Sequence, residues 1–249
     1  SGMGHSVPRS EDLRLLTGRG RYVDDIAAAG ETWMSVVRSP YAAARIVSID
    51  AEEALAQPGV LAVLTGADLV ADDVGTLHTM VQRHKRDGTP KERPPFAPLA
   101  VERVRFIGEG VAIVVAETRA AARDAAELVM VEYEGLDAVS SARAAVEPGA
   151  PAVWPGLVDD NVSFVFRVGD EAKVDAAFAK ADHVATLDFR VTRVSANPLE
   201  PRNALGAYDP VEDRYTLTAG VQIPHKIRSE IAENTLRIDP MRLRVIAPD

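Results

Sequence analysis

The sequence predicts an α+β fold in two parts, joined by a stretch rich in proline and glycine. Three observations predict it. Residues 32–133 twice alternate short β-branched runs with alanine-bearing helical segments. Residues 136–161 lose that periodicity and hold Pro148, Gly149, Pro151, Pro155 and Gly156. Residues 204–247 then give two extended runs around a turn, a helical segment and a returning apolar run.

Residues 4–26 are polar, rich in Gly and Arg and aperiodic, which predicts an extended arm lying on a neighbour. Gly18-Arg19-Gly20 lacks both the preceding strand and the third glycine of a dinucleotide-binding loop. Residues 32–38 (TWMSVVR) and 45–49 (RIVSI) have the β-branched and aromatic content of strands. Asp50 is placed to cap a short helix over 51–57, which Pro58-Gly59 ends. Residues 60–65 (VLAVLT) make a third strand and 66–70 a further turn. That order puts a helix over one sheet face.

Residues 71–98, with Gly75, Gly88, Pro90, Pro94, Pro95 and Pro98, read as a long connecting loop. Strands are expected at 104–107 and 111–116 on either side of Gly108-Glu109-Gly110. The second (VAIVVA) is apolar enough to be central and covered on both faces. Thr118 is placed to cap a helix over 119–128, and 129–133 follows as a strand. The two strand–helix–strand units are expected to share one sheet.

Residues 136–161 read as an extended linker, with Trp154 an anchor in an apolar groove rather than the alternative, a cofactor-stacking group. Beyond it come a strand at 163–168, a helix over 172–181 capped by Asp170, and an alternating strand at 184–194. Residues 204–208 and 214–220 pair as a hairpin around Asp209-Pro210-Val211-Glu212-Asp213. Pro224 then opens a helix that sets Ile223, Ile227, Ile231 and Leu236 on one face and stops at Pro240, before a strand over 243–247.

Composition narrows the function classes. The 249 residues are 47% hydrophobic, enough for one large core or two modest ones, and two domains are expected. A net charge of −9 and a pI near 5.1 argue against nucleic-acid binding, which needs clustered cations. The basic run Arg83-His84-Lys85-Arg86-Asp87, with Lys91 and Arg93, reads as a solvated loop, with a docking patch as the alternative. With no cysteine, the chain ligates no iron–sulfur cluster through thiolates and holds no disulfide. No run of 18 apolar residues predicts a membrane span; Ser1-Gly2-Met3 reads as a tag remnant, and the cytoplasm is the default compartment. His5, His78, His84, His183 and His225 are scattered, and Glu52/Glu53 and Asp72/Asp73 read as solvated surface. On these grounds alone the chain is a soluble α+β protein without assigned chemistry.

Six blocks carry a resemblance: RSEDLRLLTGRGRYVDDI, RSPYAAARIVSIDAEEALAQPGVLAVLTGADL, VRFIGEGVAIVVAETRAAARDAAELVMVEYE, LEPRNALGAYDP, LTAGVQIPHKIR and LRVIAPD. Over residues 9–249 the chain resembles the start of the molybdenum-binding large subunit of the xanthine dehydrogenase / aldehyde oxidase / carbon monoxide dehydrogenase family. It looks nearest to the carbon monoxide dehydrogenase type. The resemblance implies an α/β-hammerhead domain over 9–140, a wrapping linker over 141–161, and the first α+β portion of a molybdopterin-binding domain over 162–249. It also implies hydroxylation with water-derived oxygen at a molybdenum-pterin cofactor in the complete enzyme. Iron–sulfur clusters and FAD would lie only on partner subunits, and the remaining part of the large subunit would be a further partner. No nucleic-acid or membrane partner is expected.

Gln222 resembles the family's glutamine whose amide donates to the apical oxo group on molybdenum; the plainer reading is a cap on the following helix. A neutral N–H donor stabilises partial negative charge in a dry site without adding a second charge. Glu200 and Arg202 resemble a segment near the cofactor pocket, where they contact it, bond one another or orient backbone. His225 is a pocket candidate or a solvent-facing helix-start residue. The family's glutamate base lies downstream of this stretch, and its glycine-rich cofactor loop would follow the 243–249 block, so no catalytic residue is assigned. The expected function is thus an N-terminal segment of a molybdenum hydroxylase large subunit, inactive by itself. The alternative is a non-catalytic interaction or assembly module, a split or truncated subunit binding no cofactor alone. Either leaves the apolar face of 243–247, or that of Ile227 and Ile231, uncovered.

Overall fold

The most apolar run of the chain becomes the centre of its first sheet. In the computed structural model, which describes residues 2–79, 81–192, 194–198 and 200–248, the chain divides into two compact units. Ser1, Met80, Arg193 of the expected strand 184–194, Leu199 of the LEPRN block and Asp249 of the LRVIAPD block lie outside the described residues. One unit comprises Ser1–His78, Pro95–Ser140 and Arg202–Asp249, the other Thr79–Pro94 and Ser141–Pro201.

The first unit begins with α1 (Asp12–Leu16), a 3-10 turn (Val23–Asp25), β1 (Trp33–Arg38), β2 (Ala44–Asp50), α2 (Glu52–Leu55), β3 (Val60–Thr65) and α3 (Gly66–Ala71). It continues with β4 (Arg103–Val104), β5 (Gly110–Ala116), α4 (Arg119–Ala126) and β6 (Met130–Gly135). These strands form two antiparallel sheets, β1-β5-β3 and β4-β2-β6, rather than the single sheet expected. The reason is β5. Its alternating side chains are buried on both faces: Ala112 and Val114 pack with Ala54, Ala125 and Val129, while Val111 packs with Ala44, Ala100 and Val104 of the other layer. A strand so covered needs a second sheet on its far face, and β2 supplies it.

Local signals placed the helices. Thr118 accepts from the Ala121 N–H at 3.1 Å at the start of α4, as expected. Asp50 accepts from the Glu52 N–H at 3.0 Å, although Ala51 holds the cap position of α2. The turn expected over 66–70 is instead α3, nucleated by a capping box in which Thr65 and Asp68 satisfy each other's backbone N–H. Gly66 there lies against the Ala100 carbonyl, where a Cβ would stand 2.4 Å from the oxygen. Of the strand expected at 104–107 only β4 pairs. The amino-terminal arm lies on its own chain, with α1 and the 3-10 turn formed within it.

The second unit holds α5 (Ala142–Ala145), inside the stretch expected to be an extended linker, and α6 (Glu171–Ala179), capped as expected by Asp170, which accepts from the Lys173 N–H at 3.1 Å. The strands expected at 163–168 and 184–194 are absent among the described residues. Their alternation survives in sequence, but a strand exists only when a neighbouring backbone takes up its N–H and C=O groups repeatedly; among the described residues the Val165 N–H donates to the His84 carbonyl at 3.1 Å, and that single bond builds no ladder. Phe164, Phe166, Leu187, Phe189 and Val191 are exposed in consequence.

The first unit resumes with β7 (Ala204–Asp209), β8 (Arg214–Ala219), α7 (Pro224–Ser229) and β9 (Leu243–Ile246). β7 and β8 form the expected hairpin, and β9 adds parallel to β8. The helix expected to run to Pro240 is α-helical only to Ser229; Glu230–Leu236 is a π-helix, closed where left-handed Arg237 lets the Ile238 N–H reach the Ala232 carbonyl at 2.8 Å. Of the apolar surface expected to be uncovered, Leu243 is buried at 4% exposure, Val245, Ile246, Ile227 and Ile231 are half-buried and Ala247 is exposed, while large exposed side chains are frequent in the second unit.

Candidate functional site

The register of the third sheet brings three chain segments to one edge. Thr218 of β8 pairs with Ile246 of β9, so the two parallel strands end level, and Ala219 pairs with Ala204, so antiparallel β7 starts there too. Arg202 and Asn203 enter at that edge; Gly220, Val221 and Gln222 leave it after β8; Ala247 and Pro248 leave it after β9. The carboxyl ends of adjacent parallel strands, where the connection turns away into a helix, are a recurrent ligand-binding position.

Gln222 is exposed, and its amide makes no hydrogen bond among the described residues. It does not cap α7: the cap position is Ile223, which makes no side-chain cap bond, and Pro224 opens the helix without needing an N–H acceptor. The plainer reading of Gln222 therefore fails, and its two amide N–H donors have no hydrogen-bond partner among the described residues. Arg202 is exposed two residues before β7, and its guanidinium makes no hydrogen bond among the described residues. His225, the second residue of α7, is also exposed. Glu200 is half-buried at the end of the second unit. The first unit thus gathers Gln222, Arg202 and His225 on segments of one edge, and the donors available there are a neutral amide and a guanidinium.

Asn203 is the residue that sequence reasoning missed. Its Nδ2 donates to Asp24 Oδ1 at 2.8 Å, and its own Oδ1 accepts from the Ala204 N–H at 2.8 Å. Periodicity carries no trace of a contact between residues so far apart in sequence. Among the described residues no three His, Cys, Asp or Glu side chains converge as metal ligands, and no helix is long and apolar enough to cross a membrane. An amide and a guanidinium are donors that can bond an electron-rich or anionic group.

Comparison with known proteins agrees with this architecture. Residues 17–137 match the family described as aldehyde oxidase and xanthine dehydrogenase, a/b hammerhead domain, and residues 157–249 match the molybdopterin cofactor-binding domain. The nicotine 6-hydroxylase large subunit of Paenarthrobacter nicotinovorans is 40% identical over 99% of this chain and 29% of its own length. The carbon monoxide dehydrogenase large chain of Afipia carboxidovorans is 37% identical over 100% of this chain and 30% of its own. The crystal structure of quinoline 2-oxidoreductase from Pseudomonas putida 86 superposes with a TM-score of 0.82 at 38% identity, covering 99% of this chain and 30% of that one. Fold and matched domains together define a hammerhead domain followed by a molybdopterin-binding portion. The chain belongs to the xanthine dehydrogenase / aldehyde oxidase / carbon monoxide dehydrogenase large-subunit family and corresponds to the N-terminal part of those proteins. It spans about 30% of the length of these relatives.

Proposed function

We propose that this chain supplies one wall of the cofactor site in a molybdenum hydroxylase large subunit, with Gln222 as the residue that faces the cofactor. The supporting observation is the unengaged amide of Gln222 at the common edge of β8 and β9. When bound, the molybdenum-pterin cofactor supplies the two-electron oxidation and transfer of water-derived oxygen that hydroxylate the substrate. Gln222 holds its N–H donors toward an electron-rich atom of the cofactor, Arg202 contributes positive charge to the rim, and His225 lines the approach from α7. None of these residues is a general base, and the chain alone performs no turnover.

The domain division 9–140, 141–161 and 162–249 and a cytoplasmic location belong to the same reading. Iron–sulfur and flavin centres are assigned to partner subunits in this reading; these 249 residues include no cysteine and so offer no thiolate to a cluster. Related proteins are named as a large subunit, a large chain and the gamma subunit of a dehydrogenase complex. A second reading, a non-catalytic interaction module, draws on the exposed apolar residues of segments 163–168 and 184–192.

One experiment separates the two readings. In the full-length subunit assembled with its partners, Gln222→Ala is expected to cut kcat about a hundredfold, the scale of removing one preorganised donor, with the pterin still bound. Unchanged kcat would remove Gln222 from the site. A full-length subunit carrying neither molybdenum nor pterin would establish the second reading.

A further inference from the structure

The arm ahead of β1 is bonded to the proposed cofactor edge at one point and lines a hollow with it at another. Asp24, in the 3-10 turn, receives the Asn203 amide at 2.8 Å, and the other end of that amide group receives the N–H of Ala204, the first residue of β7. Asp24 is itself held by Arg119, the first residue of α4, whose guanidinium lies 4.3 Å from the centre of the Trp33 ring on β1. The turn is fixed internally by the Tyr22 N–H donating to Asp25 Oδ2 at 2.9 Å, and Val23 is buried. Farther along the same edge, Arg14, Arg21 and Ile26 of the arm line a hollow of ≈ 480 Å³ together with Ala247 and Pro248, the residues that follow β9. An unbroken series of contacts therefore runs from the hammerhead core through Trp33, Arg119, Asp24 and Asn203 into the strand beside the site.

We infer that Asp24 is a positioning residue for the cofactor edge: through Asn203 it fixes where β7 begins, and so where Arg202 stands. This rests on the proposed reading of that edge. The physical case is that a charge-assisted hydrogen bond to an amide bonded at its other end to backbone restrains backbone position, whereas a surface ion pair alone restrains little. Groups that orient the residues touching a cofactor affect its retention without touching it.

The test uses the full-length subunit assembled with its partners and compares Asp24→Ala, Asp24→Asn and Asn203→Ala with the unaltered protein. Two quantities are read: hydrogen exchange of the amides at 202–206, and molybdenum bound per folded chain. Asp24→Ala and Asn203→Ala are expected to speed exchange at 202–206 about tenfold, the scale of one hydrogen bond to a charged group, and to lower molybdenum per folded chain. Combining them should add little to either alone, because both remove the same bond. Asp24→Asn keeps a neutral carbonyl acceptor for Asn203 and should retain more molybdenum than Asp24→Ala, though less than the unaltered protein. Asn203→Ala leaves the Asp24–Arg119 pair intact and remains informative if Asp24→Ala fails to fold. Unchanged exchange at 202–206 would overturn the inference, as would faster exchange with full molybdenum content. Failure of the edge itself as the cofactor site would show separately, as unchanged kcat in Gln222→Ala.

Discussion

Gly75 lies directly against Asn234. The Gly75 N–H donates to the Thr235 carbonyl at 2.7 Å, and a Cβ on Gly75 would stand 1.9 Å from the Asn234 carbonyl oxygen. Around this contact Arg237 pairs with Asp73, and the His78 N–H donates to Glu230 Oε1 at 2.7 Å. The segment leaving α3 is thus laid along the π-helix backbone. Because the obstructing atom is a main-chain oxygen, no rotamer change relieves the clash. Gly75→Ala is expected to cost about 2–4 kcal/mol, read as a lower urea midpoint with an unchanged slope. A midpoint within error of the unaltered chain would mean the two segments part easily.

Val114 tests the central strand. It is fully buried in β5, in the cluster with Ala54, Ala112, Ala125 and Val129. Val114→Ala removes two methyl groups and leaves a void between α4 and the sheet, at a cost of about 2–3 kcal/mol. Thr118→Ala, which deletes the cap of α4 without disturbing packing, should cost about 1 kcal/mol. Thermal unfolding of both variants, with Thr118→Ala more destabilised than Val114→Ala, would contradict this account of what holds α4 in place.

What the sequence revealed and what it withheld divide along the range of the interactions. Thr118 and Asp170 were readable as caps because the bond each makes closes within three residues. The Thr65–Asp68 box was equally local and was overlooked because Gly66 masked it as a turn. The split into two sheets was not readable, since it depends on which face of β5 meets Ala44 and Val104 from distant parts of the chain. The π-helix was hidden for a related reason: Ile227, Ile231 and Leu236 fit an α-helical face, and the wider winding is tied to tertiary contacts at Glu230, Asn234 and Arg237. At the site, Gln222, Glu200, Arg202 and His225 came from resemblance alone; geometry then freed Gln222 from a capping role.

Glu109 gives a pH dependence with a defined sign. It is 6% exposed, it accepts from the Arg105 N–H at 2.5 Å, and burial raises its pKa above 4.5 despite that bond and the nearby Arg105 charge. A carboxyl whose folded pKa exceeds its unfolded one binds more protons when folded. Its contribution is therefore full below the unfolded pKa and is lost as pH rises through the folded pKa. Glu109→Gln keeps an acceptor for Arg105 and cannot ionise. The stability of the variant relative to the unaltered chain should rise with pH from about 4.5 upward and then level off. Parallel pH profiles for the two chains would show that Glu109 does not titrate differently on folding.

The exposed apolar segments of the second unit predict how the isolated chain behaves in solution. Phe166 is 63% exposed, Leu187 80%, Phe189 71% and Val191 81%, on stretches with strand-like alternation and no strand partner among the described residues. Exposed side chains of this size each gain about 1.5–3 kcal/mol on full burial, and unpaired alternating backbone is a template for pairing with another chain. The chain alone should therefore self-associate as concentration rises, despite its charge of −9, and sedimentation velocity across a dilution series should show it. Replacing Phe166, Leu187 and Phe189 together with serine should return it to monomer without lowering the unfolding midpoint, because none of the three packs in either of the buried hydrophobic clusters of the first unit. If the unaltered chain sediments as a monomer throughout, these segments are covered within the chain in solution. If the serine variant associates equally well, the association belongs to another surface.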